Sequence, residues 1–234
     1  MLKHFILIAV GAGLLACSSV NTITVNATND PVVDQSVSAN SIDSLINPYK
    51  VDLDAEMEVV IAHAEKDFIK GRPSGSLNNW AAEAVLHSQL RTTEFDAPVF
   101  SLLNVGGLRN TINSGDVTLG DIFKVMPFDN ELVCVEMPIE SLEEIQAYLI
   151  KTGGEPIAGA KIVAGKLLID DQDDQTEKFW IITSDYLLNG GDHMDFFQKR
   201  TNVRYPNILL RDAMIEEAKR QKTLFWDDEN RIDL

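Results

Sequence analysis

The chain has 234 residues and a formal net charge of −16, with 20 lysines and arginines against 36 aspartates and glutamates. This charge argues against nucleic-acid polymers as partners, because proteins bind them largely through cationic side chains that neutralise phosphates. A small anionic ligand remains compatible with the charge if arginines and helix N-termini surround it locally.

The N-terminus predicts export. A basic start at Lys3 is followed by an uncharged, apolar stretch over residues 5–16, which is typical of a signal peptide. The stretch is shorter than the about 20 apolar residues of a membrane-spanning helix. Residues 14–17, Leu-Leu-Ala-Cys, resemble the lipobox of bacterial lipoproteins, in which the cysteine carries a diacylglycerol. We therefore predict a lipoprotein signal peptide over residues 1–16 and a lipid on Cys17; the alternative is an ordinary cleaved signal with a cysteine at the junction.

The remaining chain divides by composition into three parts. Residues 17–50 are rich in Ser, Thr, Asn, Val and Asp without a periodic pattern, which predicts a flexible, lipid-anchored tether. Residues 51–221 have the length of one domain with a substantial core. Residues 222–234 are charged and predicted to be a peripheral tail.

Hydrophobic periodicity predicts the elements of the domain. In chain order they are an amphipathic helix over 54–69, a helix over 77–90, a strand over 98–103, a helix over 118–125 with Thr118 as its N-cap, a strand over 131–137, a helix over 138–151 ended by two glycines, a hairpin over 160–169, a strand over 178–183 and a helix over 207–219. Helices and strands mix without strict βαβ alternation, which indicates an α+β domain.

The sequence predicts no catalytic or metal-binding residue in this chain. After the signal peptide only His63, His87 and His193 remain, and they are far apart in sequence. Motifs of serine hydrolases, P-loop proteins and Rossmann domains are absent from the sequence. Cys134 lies in an apolar, acidic stretch and is predicted to be a buried strand residue rather than a nucleophile.

Two glycine-containing turns contain most of the candidate ligand-binding residues. The first is Asn104-Val-Gly-Gly-Leu-Arg109, a strand end that delivers an anion-binding guanidinium, and it is followed by a turn with Phe128 after a proline. The second, residues 183–192, ends a strand and delivers Tyr186 and Asp192. Together they predict one site with two aromatic rings, one arginine and polar edges, which suits a nucleoside because bases stack on aromatic rings.

Four blocks also resemble the C-terminal domain of the 5′-nucleotidase family over about residues 55–220. They are Asn-x-Gly-Gly-Leu-Arg, Gly-Asp-Val-Thr, Pro-Phe-Asp-Asn and Tyr-Leu-Leu-Asn-Gly-Gly-Asp, in the family's order. The resemblance implies a single mixed α/β domain of that type. It also implies that Phe128 and Tyr186 clamp the base, with Asn104 beside it, while Arg109 meets phosphate and Asp192 meets ribose.

Two departures from the family shape the expectation of function. The family's N-terminal metallophosphatase domain has no counterpart in this sequence, so this chain is expected to need no cofactor, and divalent metals are expected only in a partner catalytic half. The family's second arginine precedes a Glu-Ser-x-Leu-Gly-Asn type block, where this chain reads Gly71-Arg-Pro-Ser-Gly-Ser-Leu-Asn-Asn79. Arg72 is the candidate for that arginine and for substrate binding.

Three functions follow as hypotheses. The first is the nucleotide-recognition component of an exported 5′-nucleotidase-type hydrolase, whose metal half is a separate metallophosphatase-type chain held at the same membrane. The second is a lipoprotein that binds nucleosides or nucleotides for uptake or sensing without hydrolysis. The third is a protein-interaction module that keeps the fold but has lost the ligand site, against which the retained aromatics, Arg109 and Asp192 argue.

Overall fold

The computed structural model describes the backbone of residues 40–234 and the side chains of residues 44–234; the predicted signal peptide, Cys17 and the tether up to residue 39 lie outside this range. The described helices are α1 (Asn40–Met57), α2 (Ser76–Leu90), α3 (Leu119–Val125), α4 (Leu142–Thr152), α5 (Asp185–Leu188) and α6 (Leu210–Gln221). The described strands are β1 (Val60–Ala64), β2 (Val99–Leu102), β3 (Gly115–Thr118), β4 (Leu132–Pro138), β5 (Ile157–Ala158), β6 (Ala160–Val163), β7 (Lys166–Ile169), β8 (Lys178–Ser184) and β9 (Asn202–Arg204).

A five-stranded mixed sheet organises the described residues, with the strand order β5-β2-β8-β4-β9. Strands β2 and β8 are parallel, with Val99 opposite Trp180. Strand β4 runs antiparallel to β8, with Leu132 opposite Ser184. Two two-stranded sheets, β1-β3 and β6-β7, complete the fold, and the predicted α+β class is confirmed.

The central sheet is covered on both faces. Side chains of a strand alternate between faces, and in β8 Trp180 and Ile182 pack into a core with α2 and α6, whereas Phe179 and Ile181 pack into a second core with α4 and the β6-β7 hairpin. Strand β8 is accordingly an almost continuous run of buried residues, as expected for a strand with two covered faces. The sheet therefore provides a rigid support for the loops at its ends.

Local sequence signals set several element boundaries as predicted. The Thr118 side chain accepts a hydrogen bond from the Asp121 amide while the Asp121 side chain accepts from the Thr118 amide, which forms a capping box at the start of α3. Helix α4 ends at Gly153 with a left-handed φ of 77°, a conformation that glycine adopts without steric cost. Cys134 is fully buried in β4, and burial raises the pKa of its thiol to about 12.

The predicted helix over residues 54–69 is wrong. Helix α1 begins at Asn40 and ends at Met57, so it also includes residues 40–50 of the predicted tether. Residues Val60–Ala64 form strand β1, antiparallel to β3. The apolar residues that suggested a helix also satisfy the alternation of a strand, since Ala62 and Ala64 are buried and their neighbours Ile61 and His63 are not.

The tail is not peripheral. Ile232 is fully buried and forms a bridge with Ile162 of β6. Arg231, 6 % exposed, donates to the carbonyl of Ile157 over 3.0 Å and pairs with Glu83 and Asp227. The buried Arg231 therefore fixes the tail to the domain through Glu83 and the carbonyl of Ile157. Within residues 40–234, none of the helices has the length and hydropathy needed to cross a membrane.

Candidate functional site

The sheet topology brings the predicted motifs to one edge. Parallel strands end at the same edge of a sheet, so the turn after β2, which begins at Asn104, lies beside the segment after β8, which contains Tyr186. Strand β4 is antiparallel to β8, and its first residue faces Ser184 at the end of β8. The residues immediately before β4, including Phe128, therefore reach the same edge.

These segments enclose a cavity of about 320 Å³, which falls in the size range of small-molecule sites. The lining residues come from three turns: Asn104, Gly106, Gly107, Arg109, Phe128, Asn130, Tyr186 and Asp192. Five of the six residues predicted to bind substrate thus lie around one cavity, and Arg72 is not among its lining residues. Asn130 also lines the cavity although no role is predicted for it, and its position in the Pro-Phe-Asp-Asn block is the sequence signal that points to it.

The cavity presents two aromatic rings to solvent. Phe128 is 40 % exposed and Tyr186 is 46 % exposed, although large aromatic side chains generally gain free energy by burial. The ring of Tyr186 lies against the backbone of Gly191, where a Cβ atom would stand 2.4 Å from a ring carbon. Any side chain at position 191 would therefore displace the ring of Tyr186.

Charge in the cavity is separated between two residues. Among the described lining residues, Arg109 carries the positive charge and Asp192 the negative charge. The guanidinium of Arg109 is exposed, and its Nη1 donates to the carbonyl of Gly106 over 3.2 Å. The remaining N–H groups of that planar fork suit a carboxylate or phosphate ligand.

Asp192 is the centre of a hydrogen-bond network. The Tyr186 hydroxyl donates to Asp192 Oδ1 over 2.9 Å, and Asn104 Nδ2 donates to Asp192 Oδ2 over 2.6 Å. The Tyr148 hydroxyl donates to the main-chain carbonyl of Asp192 over 3.0 Å. The bond to Asp192 raises the pKa of Tyr186, and burial, together with the negative charges of Glu155 and Asp192, raises the pKa of Tyr148 to about 12.

Arg211, a buried arginine that belongs to no predicted motif, supports the turn of Phe128. Arg211 of α6 donates from Nη1 to the carbonyl of Phe128 over 3.2 Å and from Nη2 to Asp129 Oδ1 over 2.7 Å. Its guanidinium lies 4.2 Å from the ring centroid of Phe123. Arg211 lies in a predicted helix and belongs to no motif, so nothing in the sequence linked it to the site.

The histidines do not assemble into a metal site. His63 lies in β1, 3.3 Å from Asp116, and His87 Nδ1 lies 3.8 Å from Glu217 of α6. Across the described residues, no group of three or more His, Cys, Asp or Glu side chains is arranged to hold a metal ion.

A mixed sheet with a ring-lined, arginine-bearing cavity at one edge is typical of a small-molecule recognition domain. Residues 60–145 match the family described as 5'-nucleotidase, C-terminal domain. This match agrees with the resemblance that the order of the motifs indicated.

Individual relatives agree with the assignment. Protein UshA of Escherichia coli K12 is 25 % identical over 77 % of this chain, and an apyrase of Tabanus yao is 24 % identical over 67 % of this chain. The matched regions make up 34 % of each relative, so this chain spans about a third of their length. The crystal structure of a 5'-nucleotidase precursor from Thermus thermophilus has the same fold, with a TM-score of 0.65 and 19 % identity, over 83 % of this chain and 43 % of that one.

Proposed function

We propose that this domain is the nucleotide-recognition component of an exported 5′-nucleotidase-type phosphoester hydrolase, whose two-metal catalytic half is a separate chain. The observation that carries the proposal is the single cavity where two exposed aromatic rings, one arginine and one carboxylate meet at a sheet edge. The match to the family model and the names of two relatives, an apyrase and a 5'-nucleotidase, support a nucleotide as the ligand.

Each lining group has a role in this proposal. The base stacks on Phe128 and Tyr186, and one such contact contributes about 1–3 kcal/mol. Arg109 binds phosphate through its exposed guanidinium. Asp192 accepts hydrogen bonds from ribose hydroxyls, and Asn104, already bonded to Asp192, adds a polar edge beside the base.

The negative net charge of the chain disfavours binding of an anionic nucleotide. The affinity therefore depends on the groups inside the cavity. A net charge of −16 repels a phosphate at long range, although salt screens exposed charges beyond about 8 Å at physiological ionic strength. Arg109 acts on a bound phosphate at contact distance, which is shorter than this screening length. Stacking on the two rings is independent of the sign of the charge and offsets part of the remaining repulsion.

The lipid on Cys17 has a function in this proposal beyond anchoring. Two halves linked in one chain meet at an effective concentration that reaches millimolar for short linkers. Confining two separate chains to one membrane surface restores part of that concentration. Cys17→Ser is therefore expected to lower nucleotide hydrolysis by cells while leaving the affinity of the purified chain for nucleotide unchanged; equal cellular hydrolysis would remove this role.

Calorimetry and co-expression test the proposal. Titration of the purified chain with adenosine, AMP and ribose 5-phosphate should give saturable binding of the two ligands that contain a base, with AMP the tighter. Co-expression with an exported metallophosphatase chain should raise metal-dependent phosphate release from AMP above that of the metal half alone. Binding without any such rise would favour a lipoprotein that captures nucleotides without hydrolysis. No heat with any ligand would refute both functions.

A further inference from the structure

Arg72 lies in the loop before α2, and its guanidinium is engaged by the segment after α4. Arg72 Nη1 donates to the carbonyl oxygens of Thr152, over 2.8 Å, and of Gly154. Arg72 Nη2 donates to Glu155 Oε1 over 2.7 Å. The groups that were expected to meet a phosphate therefore bind two carbonyls and a carboxylate of the protein.

Glu155 connects Arg72 to the cavity. Its side chain is 3 % exposed, and its Oε2 accepts a hydrogen bond of 2.8 Å from the main-chain amide of Val105. Val105 lies in the short turn that brings Asn104, Gly106, Gly107 and Arg109 to the cavity wall. One buried carboxylate thus bonds both the guanidinium of Arg72 and the backbone of the turn that holds the ligand-facing residues.

The two loops are in close contact next to this ion pair. A Cβ atom on Gly154 would lie 2.3 Å from the carbonyl oxygen of Pro73, and Gly154 has a φ of +105°. A side chain at this position is excluded both by the space and by the backbone conformation. The contact keeps the Arg72 loop fixed against the Glu155 segment, so that the ion pair has a defined geometry.

The burial of Glu155 makes this arrangement sensitive to the loss of Arg72, whose side chain is 40 % exposed. A buried carboxylate that loses its cation is left with an unpaired charge, which favours its displacement towards water. That displacement weakens the charge-assisted hydrogen bond that Glu155 accepts from the amide of Val105. Because the turn is short, a displacement at Val105 moves both Asn104 and Arg109.

We propose that Arg72 and Glu155 are positioning residues of the nucleotide site, which hold the Asn104–Arg109 turn through the amide of Val105 and do not contact the ligand. This inference rests on the proposed function for its ligand. It assigns Arg72 a role different from the phosphate contact that its sequence position suggested. It also assigns a role to Glu155, which lies in no motif.

Adenosine and AMP, which differ by the phosphate, distinguish a phosphate-binding Arg72 from a positioning Arg72. A phosphate-binding arginine contributes to AMP binding but not to adenosine binding, whereas a positioning residue affects both, since Asn104 and Arg109 move together. In calorimetric titrations of the purified full chain, Arg72→Met should weaken adenosine and AMP by at least about tenfold, the scale of a charge-assisted hydrogen bond. The loss for AMP should equal or exceed that for adenosine, because Arg109 acts on the phosphate and Asn104 on the nucleoside. Glu155→Gln keeps a side-chain oxygen for the Val105 amide and should cause a smaller loss for both ligands.

Amide hydrogen exchange measured by NMR tests the positioning without any ligand. Exchange of the Val105 amide should accelerate in Arg72→Met and in Glu155→Gln, while amides of the central strand β8 stay protected. Arg72→Lys keeps the charge but not the fork, so it should restore part of both the protection and the affinity, and it provides the test if Arg72→Met does not fold. Unchanged exchange at Val105 in these variants, or a loss confined to AMP, would overturn the inference. If the wild-type chain binds neither ligand, the proposed function fails, whereas the exchange measurement still decides the positioning role.

Discussion

The hydroxyl of Tyr186 donates a hydrogen bond of 2.9 Å to Asp192 Oδ1, within the same turn of the chain. Asn104 donates to the other carboxylate oxygen, so both oxygens of Asp192 already have a donor from the protein. A ligand hydroxyl that approaches Oδ1 would compete with the tyrosine. Tyr186 provides an aromatic ring in the proposed site. Its hydroxyl therefore also weakens the hydrogen bond that Asp192 can accept from the sugar.

Tyr186→Phe should sharpen the discrimination between ribose and deoxyribose. The substitution keeps the ring over Gly191 but removes the competing donor, so a ribose hydroxyl gains the full hydrogen bond to Asp192. One such bond contributes about 1 kcal/mol, and the ratio of the Kd values of 2′-deoxyadenosine and adenosine should rise about fivefold. Calorimetry with both nucleosides measures the ratio. A ratio that is unchanged or lower in the variant would show that Tyr186 does not compete for Asp192.

Arg109→Met should weaken the binding of AMP much more than the binding of adenosine. The change removes the positive charge from the cavity wall, so the affinity for AMP should fall at least about tenfold while that for adenosine changes less than about twofold. Lys219→Met is the control, since it removes one positive charge from an exposed position on α6 outside the cavity. Equal losses for AMP in both variants would mean that only the overall charge matters.

The ion cluster around the buried Glu217, between α2 and α6, should contribute to acid stability. Burial disfavours the charged form of Glu217, but hydrogen bonds from Arg220, Gln221 and Arg91 outweigh it and lower the pKa from 4.5 to about 2. A folded-state pKa below the unfolded value gives stability that is present above about pH 4.5 and is lost as the pH falls towards 2. Glu217→Gln should therefore flatten the fall of Tm between pH 5 and pH 2.

The neighbour of Glu217 provides the control for this pH dependence. Glu216 is exposed on the same helix, and Glu216→Gln should leave the Tm profile of the wild type unchanged. At pH 7 only Glu217→Gln should lower the Tm, because Arg91 loses its carboxylate partner at 2.7 Å. Identical acid profiles for wild type and Glu217→Gln would contradict the assignment of the acid transition to this cluster.

The C-terminal segment should contribute measurably to stability. Ile232 is fully buried against the second core, so Ile232→Ala should lower the free energy of unfolding by about 2–5 kcal/mol. Leu234 is 58 % exposed, and Leu234→Ala should change it by less than about 0.5 kcal/mol. Urea denaturation of the two variants compares them directly, and equal midpoints would mean that the tail packs loosely.

Features with a local cause were predictable from the sequence. The capping box of Thr118 and Asp121 and the left-handed Gly153 depend on residues within a few positions of each other. Four of the five predicted cavity residues follow the ends of the parallel strands β2 and β8, and Phe128 precedes the antiparallel strand β4, so all five reach one edge. Whether these residues bind substrate stays a prediction.

Features that depend on distant partners were not predictable. Residues Val60–Ala64 form a strand because they pair with Gly115–Thr118, more than 50 positions away, and the local spacing fits a helix equally well. The sequence predicts a peripheral tail because the tail is rich in charged residues. The contact of Ile232 with Ile162 depends on the fold and cannot be seen in the sequence. The supports of the site, Glu155 and Arg211, act through backbone groups and so leave no motif.

The most direct test of the nucleotide site is the difference between two phenylalanine substitutions in AMP binding. Phe128 is 40 % exposed in the cavity, and Phe225 is 63 % exposed in the C-terminal segment outside it. Phe128→Ala removes a stacking surface and should weaken AMP by about 1–3 kcal/mol, which is roughly a 5- to 150-fold rise in Kd, whereas Phe225→Ala should leave the Kd at the wild-type value. Equal Kd values for the two variants, or no binding of AMP by the wild-type chain, would contradict the nucleotide site.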